Sequence, residues 1–153
     1  MSTSVVSNRR TAVQVAATVV GAVFLLVGVL GFIPGITSGS GLAFAGHHSE
    51  AYLLGLFQVS VLHNVVHLLF GIAGLALGRS AGGSKGFLVW GGAIYLVLFV
   101  YGLVFGGESA GNFVPLNAAD NGLHLLLGVG MLVIGLILGR TLAPSRQASA
   151  VRR

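Results

Sequence analysis

The chain has 153 residues, enough for one domain, but 55% of them are hydrophobic and only 7% are charged, which excludes an ordinary soluble domain and indicates an integral membrane protein. The lack of cysteine excludes disulfides, thiolate catalysis and thiolate metal sites. The net charge of +5 would suit nucleic acid, but the basic residues do not alternate with aromatic residues along a groove, so we expect no nucleic-acid partner.

Four long apolar segments follow one another along the chain, each near the roughly 20 residues that cross a bilayer as a helix. They predict an all-α fold, a transmembrane four-helix bundle in which residues 1–153 form a single integral membrane domain in contact with lipid. The predicted helices cover residues 12–36, 52–78, 86–106 and 116–139. The polar tails, residues 1–8 and 144–153, are expected to be flexible.

The basic residues are distributed asymmetrically along this map. They precede helix 1, lie between helices 2 and 3 and follow helix 4, whereas the acidic residues Glu50, Glu108 and Asp120 lie toward the other ends of the helices. The positive-inside rule then predicts that both termini are cytoplasmic. The first apolar run is longer than the roughly 7–15 residues typical of a signal peptide, so we expect a retained helix.

The segment SVLHNVVHLLFGIAGLALG, which begins at Ser60, is repeated 57 residues later at the start of helix 4. Five of seven aligned positions are identical, among them the pairs His67 and His124, and Asn64 and Asn121. The repeat predicts two tandem helical hairpins related by a pseudo-two-fold axis along the membrane normal.

Each copy also carries a stripe of glycine at steps of three, four or seven residues, toward the cytoplasmic end of its helix. Small residues at this spacing allow two helix backbones to approach closely. We therefore predict that helices 2 and 4 pack tightly against each other there and meet through polar side chains in the outer half. The predicted packing residues are Gly71, Gly74, Gly78, Gly128, Gly135 and Gly139.

Imidazoles within apolar helices are costly and indicate a function by default. His63 and His67 share one helix face, as do Asp120 and His124, so the four side chains could converge on a divalent metal. Alternatively, His67 and His124 alone could be the axial ligands of a b-type haem, or the histidines could relay protons.

The structural alternative needs no cofactor. His67 would hydrogen-bond Asn121 and His124 would hydrogen-bond Asn64, which would fix the register of the two helices. Asn117 and Asp120 would then serve as the N-terminal cap of helix 4.

Two segments resemble the signature segments of small four-helix bacterial membrane proteins, domain-of-unknown-function family 4383. They are LFQVSVLHNVVHLLFGIAGL at helix 2 and NFVPLNAADNGLHLLLGVGM at helix 4, and the resemblance extends over residues 12–140. The family has no assigned biochemical role, so the resemblance implies a topology and a bacterial cytoplasmic membrane but no activity.

From the sequence we therefore expect a membrane protein of unassigned role, an accessory or stress-related component whose polar centre is structural and which is not an enzyme. A metal- or haem-binding protein with redox or transport activity is the alternative. Small-residue faces on helices 1 and 3 would allow a homo-oligomer or docking to a larger membrane complex.

Overall fold

The computed structural model describes residues 10–142, and the tails at residues 1–8 and 144–153 lie outside this range. The described chain forms the four predicted helices together with a small antiparallel sheet and a short 3-10 helix, Gly139–Leu142. Three of the four helices are long and apolar enough to cross a membrane, and α2 is an apolar helix of 17 residues. The helices are α1 (Ala12–Leu30), α2 (Val61–Leu77), α3 (Ala81–Phe105) and α4 (Ala118–Leu138).

Two of the helix boundaries that differ from the predicted ones are decided by local caps. Helix α1 ends at Leu30 instead of residue 36, and Gly31 forms its C-terminal cap. Helix α3 begins at Ala81 instead of residue 86, because the Ser80 side chain accepts a hydrogen bond from the Gly83 backbone N–H at 3.1 Å. Only a short turn therefore connects α2 to α3.

The first third of predicted helix 2 forms two strands of a sheet in the structure, which corrects the assignment of residues 52–60 to a helix. The strands pair in the order β1-β2-β3, and Leu54 and Gly55 adopt positive φ angles of 55° and 69° in the turn between β2 and β3. The sheet buries a small apolar cluster against the C-terminal end of α1. The strands are β1 (Thr37–Gly39), β2 (Ala51–Leu53) and β3 (Phe57–Val59).

The glycines of α2 pack on α1, so the predicted close packing of helix 2 against helix 4 is wrong. A Cβ on Gly21 of α1 would lie 2.9 Å from the backbone of Gly74 and 3.0 Å from the carbonyl oxygen of Gly71. Gly78 lies beside the side chain of Thr18. Since no side chain fits between these backbones, α1 and α2 form one tightly packed hairpin.

The glycines of α4 pack on α3 in the same manner. A Cβ on Gly92 would lie 2.7 Å from the backbone nitrogen of Leu132, and one on Gly128 would meet Leu96 at 2.8 Å. Gly135 lies against Leu88 and Val89. Just after the end of α4, Gly139 lies against the Lys85 side chain. Equivalent contacts therefore recur in the two hairpins, and the predicted two-fold relation between them stays a prediction.

The basic residues of the described chain lie at one end of the bundle. The Gln14 side chain donates a hydrogen bond to the Arg79 carbonyl oxygen at 2.9 Å, which places the start of α1 beside the turn between α2 and α3. Lys85 contacts Gly139, so the end of α4 lies at the same end of the bundle. This basic end lies opposite the sheet.

Candidate functional site

Two of the three histidines in the helices of the described chain are stacked on α2. The N-cap of this helix is Ser60, whose side-chain oxygen accepts a hydrogen bond from the His63 backbone N–H at 3.1 Å. Residues four apart lie one above the other on a helix, so the rings of His63 and His67 stack with centroids 4.5 Å apart. The cap and the helical repeat together place both imidazoles on one face.

The third histidine comes from α4 and meets this pair. The His124 ring lies 6.4 Å from that of His63, and the Tyr95 ring of α3 contacts His124 edge-on at 5.2 Å. The structure thus brings together the predicted histidines of both repeats. Tyr95, which the sequence did not single out as a site residue, is buried and belongs to this cluster.

A cavity of about 200 Å³ lies beside these side chains, between α2 and α3. Its other walls are apolar. Among them, Val66 and Ile94 are exposed on the apolar surface of the bundle, so the cavity reaches the outside there. We call it the histidine cavity, and it is lined by His63, Val66, His67, Phe70, Ile94, Tyr95, Leu98, Val114 and His124.

The ring nitrogens of the site are unequally satisfied. His67 Nδ1 lies 3.0 Å from the His63 carbonyl oxygen, within its own helix. The Nδ1 atoms of His63 and His124 are buried and have no hydrogen-bond partner among the described residues. A buried polar atom without a partner costs about 1–3 kcal/mol, so these two nitrogens are left with unused hydrogen-bonding capacity.

Asp120 does not join the histidines as a metal ligand. Its Oδ2 atom accepts hydrogen bonds from the backbone N–H groups of Gln58 and Asn117, both at 3.0 Å. The Asn117 side chain in turn accepts from the Asp120 N–H at 2.9 Å, which forms the predicted cap of α4. The bond to Gln58, unforeseen from the sequence, ties α4 to β3.

The residues do not present a ready metal or haem site. Within residues 10–142, no group of three or more His, Asp or Glu side chains is arranged to hold a metal ion. A b-type haem on His67 and His124 would need an open porphyrin-sized gap between the two rings. Instead the neighbouring aromatic rings of His63 and Tyr95 pack against them, so the arrangement does not fit a haem.

The two asparagines of the predicted polar network face their own hairpins. A Cβ on Gly31 would lie 2.1 Å from Asn64 Oδ1, and one on Gly102 would lie 2.2 Å from Asn121 Oδ1. Asn64 Nδ2 and Asn121 Oδ1 are buried without a hydrogen-bond partner in the described part of the chain. The predicted bonds from His67 to Asn121 and from His124 to Asn64 are therefore not formed.

Comparison with known proteins gives a family and nothing more specific. The family model described as Domain of unknown function (DUF4383) matches residues 14–137, which include all four helices almost completely and the whole of the histidine cavity. No curated protein and no solved structure matches this chain. The chain belongs to the DUF4383 family of unknown function, as its two repeated segments predict.

Proposed function

We propose that this chain is a membrane-embedded binding protein whose histidine cavity takes up a small hydrogen-bonding molecule from the bilayer. The observation that carries this proposal is the pair of buried, unpartnered Nδ1 atoms of His63 and His124 beside the cavity. In each of these two imidazoles, Nδ1 has lost its hydrogen bonds to water without replacement, which is costly for a purely structural group. A ligand that bonds to both would remove that cost.

The apolar walls support entry from the membrane rather than from water. Val66 and Ile94 lie at the lipid-facing opening between α2 and α3, and Phe70 and Leu98 line the interior. A few polar groups in an otherwise apolar concavity are the usual form of a small-molecule site. The site supplies hydrogen bonds and no activated nucleophile, so we propose binding without catalysis.

The ligand content of the purified protein tests this proposal. We expect organic extraction and mass spectrometry of protein isolated in mild detergent to recover about one small molecule per chain. A His63→Ala/His124→Ala variant that keeps its helical circular dichroism should lose this molecule, because it lacks both unpartnered nitrogens. A Val97→Trp variant, altered at an exposed position of α3 outside the cavity, should retain it.

Other results of the same preparation would contradict the proposal. An empty, folded wild-type protein would favour the accessory role, in which the polar centre is structural and the function lies in a homo-oligomer or a larger membrane complex. A stoichiometric metal by elemental analysis, or a haem absorption band, would instead make the histidines cofactor ligands.

For the orientation, we propose that the basic end of the bundle faces the cytoplasm of a bacterium and that the sheet faces outward. The support is the positive-inside rule applied to Arg79, Lys85 and Arg140, together with the absence of Lys and Arg from the sequence between residues 11 and 78. Arg146, Arg152 and Arg153, which enter the same prediction, lie outside the described residues.

Single cysteines would test this orientation, since the chain has none of its own. Gly41 and Gly82 are a matched pair, because both are exposed and no atom lies within 4 Å of a Cβ added at either position. In intact cells we expect Gly41→Cys to react with an impermeant maleimide and Gly82→Cys to react only after lysis. The reverse pattern, or equal labelling, would overturn the orientation.

A further inference from the structure

A second concave site lies on the opposite seam between the two hairpins, where α1 faces α4. We call it the α1–α4 cleft; it has a volume of about 340 Å³, and Phe57 of β3 also contributes to its wall. The lining side chains are apolar with one exception, His67, which also lines the histidine cavity. The His67 side chain is only 6% exposed, so this imidazole is packed into the wall of the cleft.

The hydrogen bond of His67 decides what its ring offers to a ligand. Nδ1 lies 3.0 Å from the His63 carbonyl oxygen, which can only accept a hydrogen bond. A neutral His67 therefore carries its proton on Nδ1, and this leaves Nε2 as a hydrogen-bond acceptor. The complementary group on a ligand is a donor, and in an apolar surrounding a neutral hydroxyl group is the least costly donor to bury.

The side chains that line the cleft indicate the structure of the rest of the ligand. The Phe24 ring lies 5.5 Å from the His67 ring, and Phe57 also lines the cleft, so one aromatic ring lies beside the imidazole and a second belongs to the same cleft. Further along α1, Val19 and Val23 line the cleft and are about half exposed on the lipid-facing surface. Rings pack well beside rings, and an alkyl tail could leave the cleft along these two valines into the bilayer.

We propose that the α1–α4 cleft binds a lipid-soluble amphiphile with a hydroxylated aromatic head, a phenol or hydroquinone, whose hydroxyl group donates to His67 Nε2. The head lies against Phe24 and Phe57, and the tail extends along Val23 and Val19. The inference shares only His67 with the proposed function, because the unpartnered nitrogens of His63 and His124 belong to the other cavity.

Two probes that share the ring and the alkyl tail, one with free hydroxyl groups and one with methylated oxygens that cannot donate, test the proposal without altering the protein. We would measure saturable binding of radiolabelled 2-decylhydroquinone, and of its dimethyl ether, to wild-type protein in lipid nanodiscs, with empty nanodiscs as the blank. We expect about one hydroquinone per chain and about tenfold weaker binding of the ether, which corresponds to the loss of one hydrogen bond. Equal binding of both probes, or no saturable binding, would overturn the proposal.

Two matched tryptophan variants locate the bound probe. Val23 and Ile94 are exposed to similar degrees, 49% and 46%, and each lines only one of the two sites. Val23→Trp fills the α1–α4 cleft and should weaken hydroquinone binding at least about tenfold, whereas Ile94→Trp fills the histidine cavity and should change it less than about twofold. His67→Leu removes the acceptor and should weaken the hydroquinone but not the ether.

The opposite pattern separates this inference from the proposed function. If Ile94→Trp abolishes hydroquinone binding and Val23→Trp does not, the phenol binds in the histidine cavity, and the α1–α4 cleft is not its site. If the extraction experiment yields an empty protein but Val23→Trp blocks the probe, the cleft binds a ligand and the histidine cavity does not.

Discussion

Replacing Gly21 by leucine should lower the free energy of unfolding by about 3 kcal/mol, the upper part of the range for overpacking a well-packed contact. The new Cβ would lie 2.9 Å from the Gly74 carbonyl carbon and the Leu75 nitrogen. These are backbone atoms of α2 and cannot rotate away, so the α1–α2 hairpin must separate. Unfolding in mixed detergent micelles, followed by circular dichroism, measures the change.

Gly130→Leu is the matched control for this substitution. Gly130 also lies within an apolar helix, but no atom lies within 4 Å of a Cβ added there. We expect its free energy of unfolding to change by less than about 0.5 kcal/mol. Equal losses at both positions would show that leucine itself is harmful, and an unaffected Gly21→Leu protein would contradict the close contact of α1 with α2.

The second large effect concerns the contact of Gly31 with Asn64. Gly31→Ala should destabilise the protein by about 2 kcal/mol, because its Cβ would overlap the Asn64 amide, 2.1 Å from Oδ1 and 2.4 Å from Cγ. In an Asn64→Ala background the same substitution should be almost neutral, since the overlapping atoms are gone. A double-mutant cycle in mixed micelles gives the coupling energy, expected at about 1–3 kcal/mol.

The second hairpin supplies both a replicate and a control. Gly102 and Asn121 make the equivalent contact at 2.2 Å, so Gly102→Ala should be rescued by Asn121→Ala. Gly31→Ala should not be rescued by Asn121→Ala, because these residues belong to different hairpins. Additive energies in both cycles would show that the asparagines do not hold the ends of α1 and α3.

Local signals in the sequence were sufficient for some elements and not for others. The cap formed by Asn117 and Asp120 was predicted correctly, because it depends only on residues three apart. The start of helix 2 was placed too early, because β2 and β3 lie inside the same apolar run as the helix. A continuous apolar run does not distinguish a buried strand from a helix, and Gly55 was the one signal of a turn there.

The candidate site was predicted in part. The repeat identified His63, His67 and His124, and the structure brings these rings together. The partner of each glycine stripe was not predictable from spacing, since a small-residue stripe specifies close approach without naming the opposing helix. For the same reason, the partners of Asn64 and Asn121 were predicted wrongly. Their neighbours are Gly31 and Gly102 rather than the histidines.

The turn between α2 and α3 lowers the affinity that the two hairpins need for each other. Gly78, Arg79 and Ser80 are the only residues between these helices, so the turn holds the hairpins together at a high effective concentration. Their mutual interface can then be weak without the halves separating. Because the hairpins are joined in this way, neither the histidine cavity nor the α1–α4 cleft has to close for the two halves to stay together. If the chain were cut at Arg79, the association of the two halves would depend on protein concentration.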